Sequence, residues 1–195
     1  MSEGALVFVV QKHKARALHY DFRLEIGGTM PSWSIPKGPT LDPTVKRLAM
    51  PTGPHDLEYR HFEGVIPKGE YGVGPVMIWD QGRYAPEREI SKGVRREGKD
   101  KTEAEEAAQA GLRDGNLKFA LHGQKLHGSF ALVKMKGLGG AREAWLLIKH
   151  RDEFCQSGYD ANDYDRSAET GRTLAEIAEA GDTRDGRPTR ARPAS

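Results

Sequence analysis

The stretch ALHYDFRLEI, residues 17–26, alternates apolar and polar side chains and ends on the pair Gly27-Gly28. In an extended chain successive side chains point to opposite faces. Leu18, Tyr20, Phe22 and Leu24 therefore share one face, and His19, Asp21 and Arg23 share the other. The glycine pair supplies the positive φ of a tight turn, so a hairpin is expected to continue into SWSIP at residues 32–36. Upstream, LVFVVQK at residues 6–12 is crowded with β-branched residues and predicts a further strand.

The same pattern recurs downstream. Residues 46–50 (KRLAM), 75–80 (PVMIWD), 116–122 (NLKFALH), 128–135 (GSFALVKM) and 144–150 (AWLLIKH) are strand candidates bounded by Gly, Pro or charged turns. Many short strands without alternating helices, in a chain with 23 Gly and 11 Pro, point to a sandwich or closed barrel. The expected class is mainly β: a small closed β-barrel with short helical additions, spanning residues 1–152. Within it, residues 86–115 read as a charged insertion whose TEAEEAAQAGL segment forms a surface helix ending near Gly111. Residues 153–183 read as a linker-like segment with a short helix at TLAEIAEA (173–180), and residues 184–195 as a disordered tail.

Bulk charge predicts no partner. The net charge is +2, and residues 1–83 hold ten Lys plus Arg against nine Asp plus Glu. An anionic substrate would need a local cluster of cations. The single cysteine, Cys155, forms no internal disulfide and reads as an ordinary free thiol. The opening MSEGALVFVV lacks a basic leader, and no apolar run approaches the roughly 20 residues of a membrane span. The expectation is a cytoplasmic protein without a membrane segment.

Three ionisable groups in a row on one strand face would be an odd way to build a solvated surface. His13 lies six residues before His19, at the end of the preceding strand or in the connection KARA, where it can fold back to the same face. Two imidazoles and one carboxylate form a ligand set that suits Mn, Fe or Zn and leaves positions open for water and substrate. Arg23 adds a planar fork that holds phosphate oxygens in pairs. On spacing alone, a His-Asp-Arg ladder paired across strands explains the pattern equally well.

Lys37, in SIPKGP, and Arg47, opening KRLAM, are further phosphate candidates by charge, although single surface cations are usually just solvated. His55 and Tyr59 sit in GPHDLEYRHFEG, read as a loop, where functional groups tend to be mounted. His55 can donate a hydrogen bond or proton to a phosphoryl oxygen. His61, two residues past Tyr59, reads as a bystander, and His122, His127 and His150 as surface or packing residues without carboxylate company at ligand spacing. The glycines of residues 62–80 lack the GK[ST] ending of a phosphate loop and read as turns. Asp160, Asp163 and Asp165 imitate a calcium loop only weakly, without the distal glutamate.

The ordered blocks QKHKARALHYDFRLE, SWSIPKGPTLDP, KRLA, HDLEY and FEGVIPKGEYGVGPVMIWDQG resemble the phosphoesterase module of bacterial ligase D, the DNA repair enzyme of non-homologous end joining. The similarity runs from about Phe8 to Asp152. It implies a small β-barrel that heals DNA or RNA 3′ ends, removing a terminal 3′ ribonucleoside and then the 3′ phosphate. Manganese is the implied metal, with Co2+ or Zn2+ as alternatives, held by residues matching His13, His19 and Asp21. Phosphate contacts are implied at Arg23, Lys37, Arg47 and His55, with polar support from Gln11 and Tyr59. His13, His19, Asp21, Arg23 and His55 form the expected catalytic set. The implied setting is the nucleoid, with a separate DNA ligase and end-joining factors as partners, and the chain is expected to be a monomer.

Three departures bear on these expectations. Family members commonly carry an acidic residue two positions before the histidine matching His55, where this chain has Gly53. Only seven residues precede Phe8, whereas many members have a longer charged N-terminal arm. No ligase or polymerase domain is present, so a stand-alone version working beside a separate ligase is expected. A module that has lost catalysis and serves to bind DNA ends or recruit a ligase is the alternative that Gly53 and the short N-terminal arm favour. A cupin-like metal enzyme on small molecules would share the HxD strand but has no need for Arg23, Lys37 and Arg47 together.

Overall fold

The computed structural model describes residues 4–136 and 143–181. Ten strands follow one another: β1 (Leu6–Lys14), β2 (Leu18–Leu24), β3 (Thr29–Ile35), β4 (Lys46–Asp56), β5 (Gly64–Ile66), β6 (Gly74–Ser91), β7 (Val94–Glu97), β8 (Asn116–His122), β9 (His127–Lys134) and β10 (Trp145–Lys149). Helix α1 (Lys101–Asp114) separates β7 from β8, and α2 (Leu174–Ala180) closes the described chain. Eight antiparallel strands form a closed barrel in the order β1-β2-β3-β4-β10-β9-β8-β6, with β6 pairing back to β1. The expected mainly β barrel with short helical additions is the observed fold.

The alternation in residues 18–24 decides which side of the wall each residue takes. Tyr20, Phe22 and Leu24 enter the barrel core with Phe8, Val10, Trp33, Trp79, Phe119 and Phe130. Phe22 stacks on Phe119 at 5.9 Å, and Phe119 on Phe130 at 6.1 Å. Burying a side chain of this size contributes about 1.5–3 kcal/mol, and Phe22→Ala would cost about 3–5 kcal/mol once the cavity is counted. His19, Asp21 and Arg23 fall on the outer wall. That wall is itself roofed: Val9, Met30 and Ile78 form a second apolar cluster outside the barrel, and Tyr59, Phe62, Ile66 and Val76 a third.

Two strands run further than their sequences suggest. β4 continues through Pro51 and Pro54 to Asp56 instead of ending at residue 50. Its pairing with β10 stops at Ala49, so beyond that point β4 pairs with β3 alone among the described residues, where a missing N–H is tolerated. His55 therefore stands at the end of a strand, correcting the loop reading. Tyr59 sits on a short 3₁₀ helix, Leu57–His61. β6 runs to Ser91 and pairs with β7 beyond the barrel, so the charged region 86–115 opens as a β-ribbon before it becomes helical. Asp100 caps α1 by accepting the Glu103 N–H. The helix extends to Asp114, and Gly115 ends it with a left-handed φ of 71°.

Beyond Asp152 the described chain lies against the barrel. Tyr159, Ala161 and Ile177 belong to the main core. Trp79 Nε1 donates to the Tyr164 carbonyl at 2.6 Å, and Tyr20 OH to Asn162 Oδ1 at 2.9 Å. The tail 184–195 lies outside the described residues. Among the described residues no helix is long and apolar enough to cross a membrane.

Candidate metal and phosphate site

The β1–β2 register sets His13 directly opposite His19 and Gln11 opposite Asp21. Directly paired residues point to the same side, so all four face outward together. His13 belongs to β1 itself, which runs to Lys14, rather than to the connection. One ligand atom from each of His13, His19 and Asp21 lies within 4.8 Å of the others, close enough to hold a metal ion.

The outer nitrogens fix both tautomers. His13 Nε2 lies 2.6 Å from the Gly72 carbonyl, and His19 Nδ1 lies 3.1 Å from the Ala17 carbonyl. A carbonyl can only accept, so each of these nitrogens carries the proton. The other ring nitrogens, His13 Nδ1 and His19 Nε2, face Asp21 Oδ2 at 3.9 and 3.4 Å; such a nitrogen offers a lone pair to a metal when the ring is neutral and an N–H to the carboxylate when it is protonated. Backbone acceptors behind ligating imidazoles are the usual means of orienting metal ligands. Gly72 can supply its carbonyl because its φ is +82°, and a Cβ there would meet His13 Cε1 at 3.2 Å. The donor set fits a divalent transition metal by ligand type, number and orientation.

Arg23, 3% exposed, binds this cluster to its surroundings. Its Nε donates to Gln11 Oε1 at 2.6 Å, and its two terminal nitrogens donate to Ser32 Oγ at 2.9 Å and Asp21 Oδ2 at 3.3 Å. The guanidinium lies over the Tyr59 ring at 5.0 Å, a cation–π contact. Tyr59 in turn stacks between His55, at 4.8 Å, and Phe62, at 5.4 Å. Gln11 Nε2 donates to both the Tyr59 and Phe62 carbonyls at 3.0 Å, tying the 3₁₀ segment down over the outer wall.

His55 Nδ1 stands 3.1 Å from Arg23 NH1 and 3.0 Å from the Gly53 carbonyl. It satisfies one of them at a time, accepting from Arg23 when unprotonated and donating to Gly53 when protonated. Burial works to raise the Asp21 pKa, but hydrogen bonds from His13 and His19 and the Arg23 charge outweigh it and hold the carboxyl well below the usual range. The bond to Asp21 raises His19 above its ordinary value against its desolvation. The shift favours the ionised form of Asp21.

Of the residues singled out in the sequence, His13, His19, Asp21, Arg23, Gln11, His55 and Tyr59 meet in this one network. No described hydrogen bond or ion pair joins Lys37 or Arg47 to it. Lys37 is exposed in the turn after β3. Arg47 pairs with Leu147, whose side chain is in the core, and its buried Nε has no hydrogen-bond partner. Gly53 is exposed, and a Cβ built on it meets nothing within 4 Å. His61 accepts from Arg60, His122 bonds Glu97, His127 lies against Phe154 and His150 bonds Ser129, all away from the cluster. Cys155 lines a cleft of about 410 Å³ with Lys125, Phe154 and Tyr164 that shares no residue with the network.

Sequence reasoning missed Ser32 and the carbonyls of Tyr59, Phe62 and Gly72. Ser32 carried a signal: the Gly27-Gly28 turn pairs Ile26 with Thr29, and counting back sets Ser32 opposite Arg23. The carbonyls carry no side-chain signature.

The fold is a closed antiparallel barrel whose outer wall carries two histidines and one carboxylate that could hold a metal ion, with a buried guanidinium beside them. Residues 11–134 match the DNA ligase D 3′-phosphoesterase domain, and the chain belongs to that family. It is 46% identical over 151 residues to the multifunctional non-homologous end joining protein LigD of Pseudomonas aeruginosa, covering 77% of this chain and 16% of that protein. It is 38% identical over 146 residues to LigD of Mycolicibacterium smegmatis and 35% over 153 residues to that of Mycobacterium tuberculosis, covering 75% and 78% of this chain. The chain spans 16–17% of the length of these relatives.

Proposed function

We propose that this chain is a manganese-dependent phosphoesterase that converts DNA or RNA 3′-phosphate ends to 3′-hydroxyl ends in end-joining repair. The observation that carries the reading is the convergence of the His13, His19 and Asp21 ligand atoms beside a buried Arg23. Membership of the 3′-phosphoesterase family supports the substrate class. Co2+ and Zn2+ suit the same donor set.

When bound, the metal supplies Lewis-acid polarisation of a phosphoryl oxygen and acidifies water. His13, His19 and Asp21 would hold it, with the two imidazoles oriented by their carbonyl partners. Arg23 keeps a full positive charge beside the cluster, where it stabilises the charge that builds on phosphoryl oxygens as the P–O bond breaks. His55, stacked on Tyr59, donates a hydrogen bond or proton to the same group. In the net reaction water adds its oxygen to phosphorus, the P–O3′ bond breaks, and a proton passes to the 3′ oxygen. Lys37 and Arg47 enter as phosphate contacts on the family resemblance. Removal of a terminal 3′ ribonucleoside, nucleoid location, monomeric state and work beside a separate ligase belong to the same reading.

A 3′-phosphate oligonucleotide incubated with the protein and Mn2+ should yield a 3′-hydroxyl product. A chelator should stop the reaction and added Mn2+ restore it. His19→Ala should abolish turnover while leaving the far-UV circular dichroism unchanged. Gly53 favours a second reading, an end-binding module without catalysis; tight binding of the end with no product under manganese would select it.

A further inference from the structure

Glu63 directly follows Phe62, outside the cluster, and its side chain is 4% exposed. Oε2 accepts the Ile78 N–H at 2.9 Å and the Ser167 hydroxyl at 2.6 Å. Oε1 accepts from Thr170 Oγ1 and from the Arg172 guanidinium at 3.5 Å. The loop supplying these groups is folded around the carboxylate: Ser167 Oγ accepts the N–H groups of Glu169 and Thr170, each at 3.0 Å, and the Ser167 N–H donates to the Arg172 carbonyl at 2.9 Å. A carboxylate this deeply buried persists only where donors replace its water.

Glu63 is joined to the site by two routes. Through the backbone, the adjacent Phe62 carbonyl accepts from Gln11 Nε2, and Gln11 Oε1 accepts from Arg23 Nε. Through the sheet, Ile78 is the register partner of Gln11 at the β1–β6 bulge. Ile78 gives its N–H to Glu63, and its carbonyl accepts the Ala168 N–H at 2.8 Å. Glu63 and the 167–172 loop therefore brace Gln11 from both sides, and Gln11 aims the guanidinium.

We infer that Glu63, clamped by Ser167 and Thr170, is a positioning residue for Arg23, so that the chain beyond the barrel is a working part of the site. The inference rests on the phosphoesterase reading. It concerns a segment outside residues 11–134, the span that matches the family domain.

The test uses the full chain, Mn2+ and a 3′-phosphate oligonucleotide. Ser167→Ala with Thr170→Val, and separately Glu63→Gln, should lower kcat tenfold or more at a temperature where circular dichroism shows each variant folded, with Mn2+ affinity within twofold of wild type. Thr170→Ser, which keeps the hydroxyl, should retain wild-type kcat. Glu179→Gln, on the exposed side of α2, is the control. Combining Glu63→Gln with Gln11→Leu should lose much less than the product of the single losses, because both act along one chain. A folded Ser167→Ala/Thr170→Val variant with wild-type kcat, or losses that multiply, would overturn the inference. Should wild type leave the end intact, the phosphoesterase reading has failed. Calorimetric binding of inorganic phosphate to the Mn2+-loaded protein then carries the comparison: binding weakened tenfold in the loop variant upholds the inference, and equal binding overturns it.

Discussion

Arg23→Lys keeps the charge and removes the fork, so it separates what the guanidinium does by geometry from what it does by sign. A lysine amine can stay near Asp21 but cannot also reach Gln11 Oε1, which Arg23 Nε holds at 2.6 Å. Gln11 is fully buried, so its oxygen loses its donor without gaining water, a cost of about 1–3 kcal/mol. Losing the planar stack over Tyr59 removes about 0.5–1 kcal/mol more. Ser32 adds little, because its hydroxyl still donates to the Met30 carbonyl. The expected total is about 2–4 kcal/mol, which for a chain of this size lowers Tm by roughly 5–15 °C. Urea unfolding followed by the fluorescence of Trp33, Trp79 and Trp145 measures it as a lower midpoint at constant slope. Phosphate-end turnover should fall as well in the folded variant. A stability loss under about 0.5 kcal/mol, together with intact turnover, would refute the claim that the fork braces the site.

Mn2+ at a hundred times its Kd should stabilise the protein by about 2.7 kcal/mol, raising Tm by roughly 5–10 °C in a thermal scan, and Asp21→Asn should cancel the shift. Gly53→Glu should change stability by less than about 0.5 kcal/mol, since the added Cβ meets open space, and should raise ribonucleoside removal relative to phosphate removal; an unchanged ratio would detach the missing carboxylate from that step. Burial, then the charges of Arg95, Lys118 and Lys149, push His150 from 6.5 down to about 4. The unfolded chain thus takes up this proton first, so its contribution to stability is complete above pH 6.5 and declines as pH falls toward 4. Denaturant titrations of His150→Gln should show a shallower decline across that window than wild type.

The barrel was legible because its interior obeys a period of two. Tyr20, Phe22 and Leu24 announce the core face, and the Gly27-Gly28 turn pins the β2–β3 register. Where the wall is charged on its outside and carries prolines or turn residues, that signal fades. β4 past Met50 reads as loop because of Pro51, Gly53 and Pro54, and the outer half of β6 reads as insertion because of Arg83, Glu87 and Glu89. The ligand set was half legible in the same way. His19 and Asp21 follow from alternation, but His13 required β1 to outlast its apolar run and reach Lys14. Of the roof over the site, only Tyr59 was singled out, and its role came through the family resemblance. The roof's contacts are backbone carbonyls, or partners as distant in sequence as Glu63 and Thr170, and no local periodicity reports either.

This division has a consequence for how the site tolerates change. On β2 every second residue builds the core and the residues between face the candidate site, so the interior could be repacked without touching His19, Asp21 or Arg23. The reverse does not hold. Asp21 and Arg23 are buried a second time, beneath Tyr59, Phe62 and the segments that hold them, and each is the hydrogen-bond partner of the other. Removing the carboxylate leaves Arg23 with an unpaired buried donor, and removing the guanidinium leaves Asp21 with the imidazoles of His13 and His19 as its remaining side-chain partners among the described residues. Breaking one partner of such a pair costs more than the pair contributes when intact. His19 also contacts Asp21, but at 22% side-chain exposure, against 9% for His13 and 11% for Asp21, its removal leaves the gap open to water. Among the three ligands it is therefore the one whose loss should silence the site while leaving the barrel standing.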